Sequence, residues 1–380
     1  MVTVKEVTTK RELRKFVDYP NQLYKDVPQF VPAMYGDDLD DWDKKKNPAF
    51  EYCDAKCFLA WRDGKIVGRI GAILSHKANE KFNQKRMRFT QVDFIDDAEV
   101  VDALFKAVED YAREMGCNEV QGPLGFCDCD REGMLVEGYD RRGMFITYYN
   151  HPYYIEHMER MGYRKDTDWV EFLIKLHDED EGREKETAER LQRLAERAMQ
   201  HGNLHLANIK RKSQYAGYVE QVFDLVNKAY SELYGVVELT ERQIKKYAKK
   251  FVPLVNPDYA CFVMNEKNEM VAFGVSAPSL ASALQKSRGR LFPFGWVGVL
   301  KNLYGHNDTE DMLLVAVRPD LQGIGINAII LNHALTSARK NGVLYGETGP
   351  QLEDNDKVQA QWKMFDKEQH KRRRCFVKAI

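Results

Sequence analysis

From residue 57 onward the chain passes twice through one order of hydrophobic and polar patterns. Residues 57–68 read as a β-hairpin with Asp63-Gly64 at its tip, and residues 261–272 as a second hairpin turning near Lys267-Asn268. A further strand follows each hairpin, at 87–94 and at 312–317. Each strand leads to an amphipathic helix, the first at about 98–115 and the second at about 324–340. Both helices end alike, in Ala-Arg-Glu-Met-Gly and Ala-Arg-Lys-Asn-Gly. These endings set Gly116 and Gly342 where a left-handed residue closes a helix. Both then enter a short strand that stops at Gly-Pro, followed by a polar loop and another helix. The shared order predicts two copies of one α/β unit, residues 1–177 and 178–380. Each is expected to be a central, mixed, mostly antiparallel sheet flanked by helices.

The bridge from residue 178 to about 200 carries Leu191, Leu194, Ala195 and Ala198 on one helical face, with charges elsewhere. It reads as a surface helix opening the second copy. The segment 278–307 is long for a link between strands, and 291–300 within it is apolar and aromatic. It either lines a pocket or caps the core as a short helix. Tyr148, Tyr149, Tyr153 and Tyr154 cluster around Asn150 and Pro152. They are either one wall of a substrate cleft or a core whose hydroxyls are satisfied. Lys371 to Arg374 is a run of four cations that reads as solvated charge or as an anion site, in front of a final strand.

Composition narrows the function class. A formal net charge of −1 over 380 residues draws the chain globally to neither nucleic acid nor membrane. No apolar run approaches the ~20 residues of a membrane helix, and the first residues lack a signal-peptide core. Seven cysteines, an odd number, suit a reducing compartment, so a cytoplasmic location is expected. Cys127 and Cys129 lack a second cluster at ligand spacing and read as ordinary thiols, so no metal is expected.

The candidate chemistry lies in residues 313–335. An apolar run ends at Arg318-Pro319, Gln322-Gly323-Ile324-Gly325 follows, and a helix begins. A strand, a glycine turn and a helix N-terminus aim several backbone N–H groups at one spot, at the positive end of a helix dipole. The natural occupant is a phosphate. The matching place in the first half holds Asp96, Asp97 and Glu99. Three carboxylates repel a pyrophosphate and stabilise a helix start, so one phosphate site is expected, in the second half.

This order of elements, with a Gln-x-x-Gly-x-[Gly/Ala] turn, resembles the GCN5-related N-acetyltransferase superfamily over about 204–380, and lopsidedly over about 2–176. The turn matches at Gln322, Gly323 and Gly325; Asn327 stands where Gly or Ala is usual. Gly122-Pro123, residues 132–138 and residues 149–154 are similar to a group of bacterial tandem acyltransferase-like proteins. The resemblance implies acetyl-CoA or a longer acyl-CoA as co-substrate. Its pyrophosphate would rest on Gln322, Gly323, Ile324, Gly325, Ile326 and Asn327, and its pantetheine arm along Val315, Ala316 and Val317. It implies Asp311 or Glu347 as general base, and Asn355 near the cofactor. Trp362 stands where a proton-donating tyrosine is common, and indole is no useful acid. The implied activity is transfer of an acyl group to an amine of a small molecule or peptide, by direct attack on the thioester. The alternatives are a non-catalytic CoA or anion sensor, and a transferase using aminoacyl-tRNA, which the net charge does not favour.

Overall fold

The computed structural model describes every residue except 178, 179 and 210, and the side chain of Glu181. The start of the bridging helix expected at 178 lies outside the described residues. The first half contains β1 (Thr3–Glu6), α1 (Lys10–Leu23), α2 (Tyr35–Asp41), β2 (Cys53–Arg62), β3 (Lys65–Ser75), α3 (His76–Lys81) and β4 (Arg86–Phe94). It continues with α4 (Ala98–Glu114), β5 (Glu119–Gly122), β6 (Met134–Glu137), α5 (Tyr153–Arg160) and β7 (Arg164–Lys175). The second half contains α6 (Glu181–Gly202), β8 (His205–Leu206), α7 (Val219–Ala229), α8 (Glu241–Phe251), β9 (Ala260–Met264) and β10 (Met270–Pro278). Then come α9 (Ala281–Ser287), α10 (Gly295–Tyr304), β11 (Thr309–Val317), α11 (Ile326–Asn341), β12 (Tyr345–Thr348), β13 (Gln351–Leu352), α12 (Asp356–Ala360) and β14 (Lys367–Ala379).

The repeated patterns form repeated elements. Asp63 and Gly64 turn the β2–β3 hairpin with positive φ at both positions, the conformation that matches the twist of paired strands. Gly116 and Gly342, also at positive φ, follow α4 and α11, where a side chain would strain the backbone.

The chain forms two compact units, and both draw on the two halves of the sequence. The first comprises Met1–Val170, Ala281–Val299 and His370–Ile380. Its sheet runs β1-β2-β3-β4-β5-β14, with β4 and β5 parallel and the other pairs in that run antiparallel where registered. Helix α4 closes its core with Val100, Leu104, Phe105 and Val108, all 0–1% exposed. The second comprises Glu171–Leu280 and Leu300–Gln369. In it the last residues of β7 pair with β12, and β12, β11, β10, β9 and β8 follow in order. Only β11 and β12 are parallel among its registered pairs. Both units are therefore the mixed, mostly antiparallel sheets that the patterns predict. No helix among the described residues is long and apolar enough to cross a membrane.

Two side-chain clusters singled out in the sequence lie in the first unit. The run at 371–374 is not solvated charge: Lys371 and Arg373 are 1% exposed. Arg374 forks onto Asp168 at 2.8 and 3.0 Å, and Arg372 reaches Asp168 and Glu137. Alternation along the strand sends Lys371 and Arg373 inward, where Arg373 donates to the Tyr148 carbonyl, and leaves Arg372 and Arg374 half-buried, where carboxylates answer them. The four tyrosines have engaged hydroxyls: Tyr153 donates to the Phe94 carbonyl, Tyr154 bonds Tyr24 and the Phe94 N–H, Tyr148 bonds Thr90, and Tyr149 reaches the Tyr139 carbonyl. Tyr149 and Tyr154 are buried and Tyr148 and Tyr153 half-buried, and Tyr148 and Tyr149 also line a pocket with Arg69, Asp93 and Arg131, so the hydroxyls are satisfied while one side of the cluster faces a cleft.

Candidate acyl-CoA site

In the second unit β11 is in register on both sides only over Glu310–Met312. Its antiparallel pairing with β10 continues to Val317, whereas the parallel pairing with β12 stops at Met312. Between Val275↔Leu314 and Ser276↔Met312 the register slips, so Leu313 is a bulged residue without a partner on β10. Bulges bend a strand, and here β11 parts from β12 at this point.

The hydrogen-bond phase shows what the parted edge presents. The Arg318 N–H donates to the Val271 carbonyl, so Arg318, Ala316 and Leu314 point their backbone polar groups toward β10. Val315 and Val317 therefore point theirs toward the open edge. Two side chains corroborate this: the Tyr230 hydroxyl donates to the Val315 carbonyl at 2.7 Å, and the Gln322 amide to the Val317 carbonyl at 3.4 Å. Tyr230 directly follows α7 and was not singled out in the sequence. Only a fold that lays α7 on this sheet face brings it to β11.

The strand then meets the glycine turn. Gly323 and Gly325 have φ of +85° and +89°. A Cβ at Gly323 would meet nothing within 4 Å, and one at Gly325 only the Ala198 Cβ at 3.9 Å. Backbone conformation, not space, is what requires glycine here. Gly325 is the N-cap of α11 and supplies no side-chain cap. Gln322, Gly323, Ile324 and Gly325 are all exposed, and Ile324 is 56% exposed. Ile326 and Asn327 form the first helical positions, Ile326 turned into the core and Asn327 half-buried. The helix is held by Ile326, Ile329 and Ile330, which pack with Val317, Val271 and Ala198. The result is a rigid helix start whose leading N–H groups face outward.

The bulge also decides where the acids point. By simple alternation Asp311 shares a face with Val315 and Val317. The extra residue at Leu313 puts Asp311 instead on the opposite face, beside Ala277 and with Leu314 and Ala316. Asp311 is paired in register with Glu347 of β12, so both side chains stand on that face. They are 1% and 8% exposed. A carboxylate oxygen of Glu171, which is fully buried, lies within 4.8 Å of one of Glu347. The structure thus brings the two alternative bases together and adds a third acid. Glu310 points the other way. It is fully buried, its Oε2 accepts from the Ser276 hydroxyl at 3.2 Å, and burial pushes its carboxyl up to about 8.

Two residues assigned by resemblance hold structural places. Asn355 caps α12, its Oδ1 accepting from the Val358 N–H at 3.3 Å. Trp362 is 4% exposed and gives its indole N–H to Gln351 Oε1 at 3.2 Å, so it is packed rather than poised for proton transfer.

No protein-family model matches the sequence. The chain is 26% identical over 384 residues to Protein YghO of Escherichia coli, covering 99% of this chain and 95% of that protein. It is 27% identical over 304 residues to the bacterial ceramide synthase of Caulobacter vibrioides, covering 80% and 76%. Among solved structures it resembles a tandem GNAT protein from the clavulanic acid biosynthesis pathway, with a TM-score of 0.56 at 12% identity, covering 100% of this chain and 98% of that one. It also resembles a GCN5-related N-acetyltransferase from Sphaerobacter thermophilus, with a TM-score of 0.50 at 10% identity, covering 100% and 95%. The repeated units, the parted strand and the glycine turn thus agree with these full-length likenesses: the protein has the tandem GCN5-related N-acetyltransferase fold.

Proposed function

We propose that the protein is an acyl-CoA-dependent N-acyltransferase whose co-substrate site lies in the second unit. The observation that carries this reading is the pairing of an open strand edge with an outward-facing glycine turn. The edge offers the Val315 and Val317 N–H groups, with their carbonyls already accepting from Tyr230 and Gln322, and these donors suit the carbonyls of a pantetheine arm. The turn offers unfilled N–H groups at the positive end of α11, which suit the pyrophosphate. An arm so laid would bring the thioester within reach of a backbone N–H of this edge, such as that of Val315, which would stabilise the oxyanion that develops on attack.

The reaction is a direct transfer. The amine nitrogen attacks the thioester carbon, a C–N bond forms, the C–S bond breaks, and CoA leaves as its thiolate. Asp311 or Glu347 takes the proton from the amine. The Caulobacter relative is named a ceramide synthase. A ceramide is an amide of a long-chain amino alcohol, so that name favours a long-chain amine as acceptor here and an acyl group longer than acetyl.

Calorimetry with CoA tests the cofactor assignment. Gly325→Asp puts a carboxylate into the turn and should weaken CoA binding about 100-fold or more, with Tm measured alongside to establish folding. An absence of binding at about 1 mM CoA, or equal affinity in the variant, removes the proposal. Release of free thiol from acyl-CoA across a panel of amines separates an enzyme from a sensor that only binds.

A further inference from the structure

The segment between β10 and β11 carries more apolar surface outward than a packing role explains. Phe292 and Phe294 are 80% and 77% exposed, and Trp296 and Val297 are 45% and 49% exposed. This is not a frayed loop. Gln285 of α9 donates to the Pro28 and Phe30 carbonyls at 2.7 and 2.9 Å, the Tyr35 N–H donates to the Gly289 carbonyl at 2.9 Å, and Arg290 bonds Asp18 at 2.6 Å. The Trp296 indole N–H is held by the Pro293 carbonyl at 3.1 Å, leaving the rest of the ring to face outward. The segment is tied down through its polar groups, within the first unit, and its aromatic side chains are what remain for a partner. Contiguous exposed apolar groups of this kind mark an interaction surface.

The charge around them selects the partner. From residue 281 to residue 307 the chain has Lys286, Arg288, Arg290 and Lys301 and no aspartate or glutamate, in a protein of net charge −1. Lys286 and Arg288 are exposed beside the aromatic segment. Phe, Trp and Arg are common at protein interfaces too, but lysine is depleted there, and the run of cations without a carboxylate calls for an anionic partner. Exposed Phe and Trp interspersed with Lys and Arg are instead the composition of surfaces that lie in the headgroup region of a bilayer. There the rings enter the acyl boundary and the cations meet anionic headgroups.

We propose that residues 286–297 form a membrane-docking surface that seats the protein on an anionic lipid bilayer without spanning it. The co-substrate assignment plays no part in this argument.

Cosedimentation with vesicles tests it. Wild-type protein is expected to pellet with phosphatidylcholine vesicles holding roughly 30% phosphatidylglycerol, and less with pure phosphatidylcholine, with binding that weakens as salt rises. The triple variant Phe292→Ser, Phe294→Ser, Trp296→Ser should lower partitioning about tenfold or more. Lys286→Glu with Arg288→Glu should abolish the preference for anionic vesicles. All these side chains are exposed, so Tm should stay at the wild-type value in both variants. Wild-type protein that stays in the supernatant, or a triple variant that pellets like wild type, overturns the proposal. So does a dimer, lost in the triple variant, with no vesicle binding: that result makes the face a protein interface.

Discussion

The starts of α4 and α11 occupy matching places in the two units and have opposite chemistry. At α4, Asp97 is the N-cap and accepts from the Val100 N–H at 3.2 Å. Arg62 forks onto Asp97 at 2.7 and 2.8 Å and reaches Glu99 at 2.9 Å. The hydrogen bonds from Arg62 hold the Asp97 carboxyl down at about 2. At α11 the same place holds Gly323 and Gly325, with no side-chain cap. The strands that lead into the helices differ likewise. In the first unit, beyond the paired stretch of β4 and β5, the Phe89 carbonyl takes the Leu124 N–H and Gln91 takes the Trp42 indole N–H. Buried Asp93 of β4 is answered by Arg69 at 2.6 Å and by the Tyr24 hydroxyl at 2.8 Å. In the second unit buried Glu310 of β11 is met by a hydroxyl rather than by a cation. The first copy has filled its helix start with its own side chains, and the chain after β5 meets its strand at Phe89. The other leaves its helix start without a side-chain cap and its β11 edge parted from β12 beyond Met312.

The comparison can be broken at several points. The largest effect is expected at Arg69. Arg69→Ala leaves Asp93 buried without its cation and should cost about 3–5 kcal/mol in urea denaturation, far more than an exposed pair would. Glu310→Gln should change how stability depends on pH. A carboxyl whose proton is held more tightly in the folded state than in the unfolded state makes stability fall as pH rises from its ordinary value, 4.5, to about 8, and adds no slope beyond. The variant should lose that slope: equal to wild type at pH 4, and more stable at pH 9 by something on the order of a few kcal/mol. Denaturation at a series of pH values reads this directly.

A smaller loss is expected for Asp97→Ala, about 1 kcal/mol for the removed cap. The sign is opposite to that at Glu310. Asp97 is held below its ordinary value, so its contribution is present above about pH 4 and is lost as pH falls toward 2. The variant should still not bind CoA through the first unit, because the edge beside Phe89 remains filled; calorimetry on this variant combined with Gly325→Asp checks that. The smallest effect is expected for Tyr230→Phe, which removes one hydrogen bond to the Val315 carbonyl and should cost about 1 kcal/mol or less of stability. Its CoA affinity, measured beside wild type, shows whether that carbonyl matters to the arm.

Much of this architecture is legible from period and punctuation. Asp63-Gly64, the helices that close on Gly116 and Gly342, and the strands that stop at Gly-Pro are local features, set by backbone sterics and hydrophobic spacing. The glycine turn and the acids that replace it in the first half are local for the same reason. The pairing of the run at 371–374 depends on distant partners: nothing near Arg374 in sequence announces Asp168. Tyr230 likewise became visible only with the fold, since the Val315 carbonyl it bonds lies far along the chain.

The sequence by itself determined that the chain repeats one unit, that each unit alternates hairpins with helices, and that one helix start is glycine-bare while its counterpart is acidic. These follow from side-chain period and from the few residues that accept positive φ. Tertiary structure alone decided which backbone groups of β11 face outward, since that depends on hydrogen-bond phase against β10. It decided that the bulge at Leu313 sets Asp311, in register with Glu347, on the face opposite Val315 and Val317, because one extra residue reverses every later side chain. It also decided that Lys371 and Arg373 are buried while Phe292, Phe294 and Trp296 are not, because burial is a property of what packs against a segment rather than of the segment's own composition.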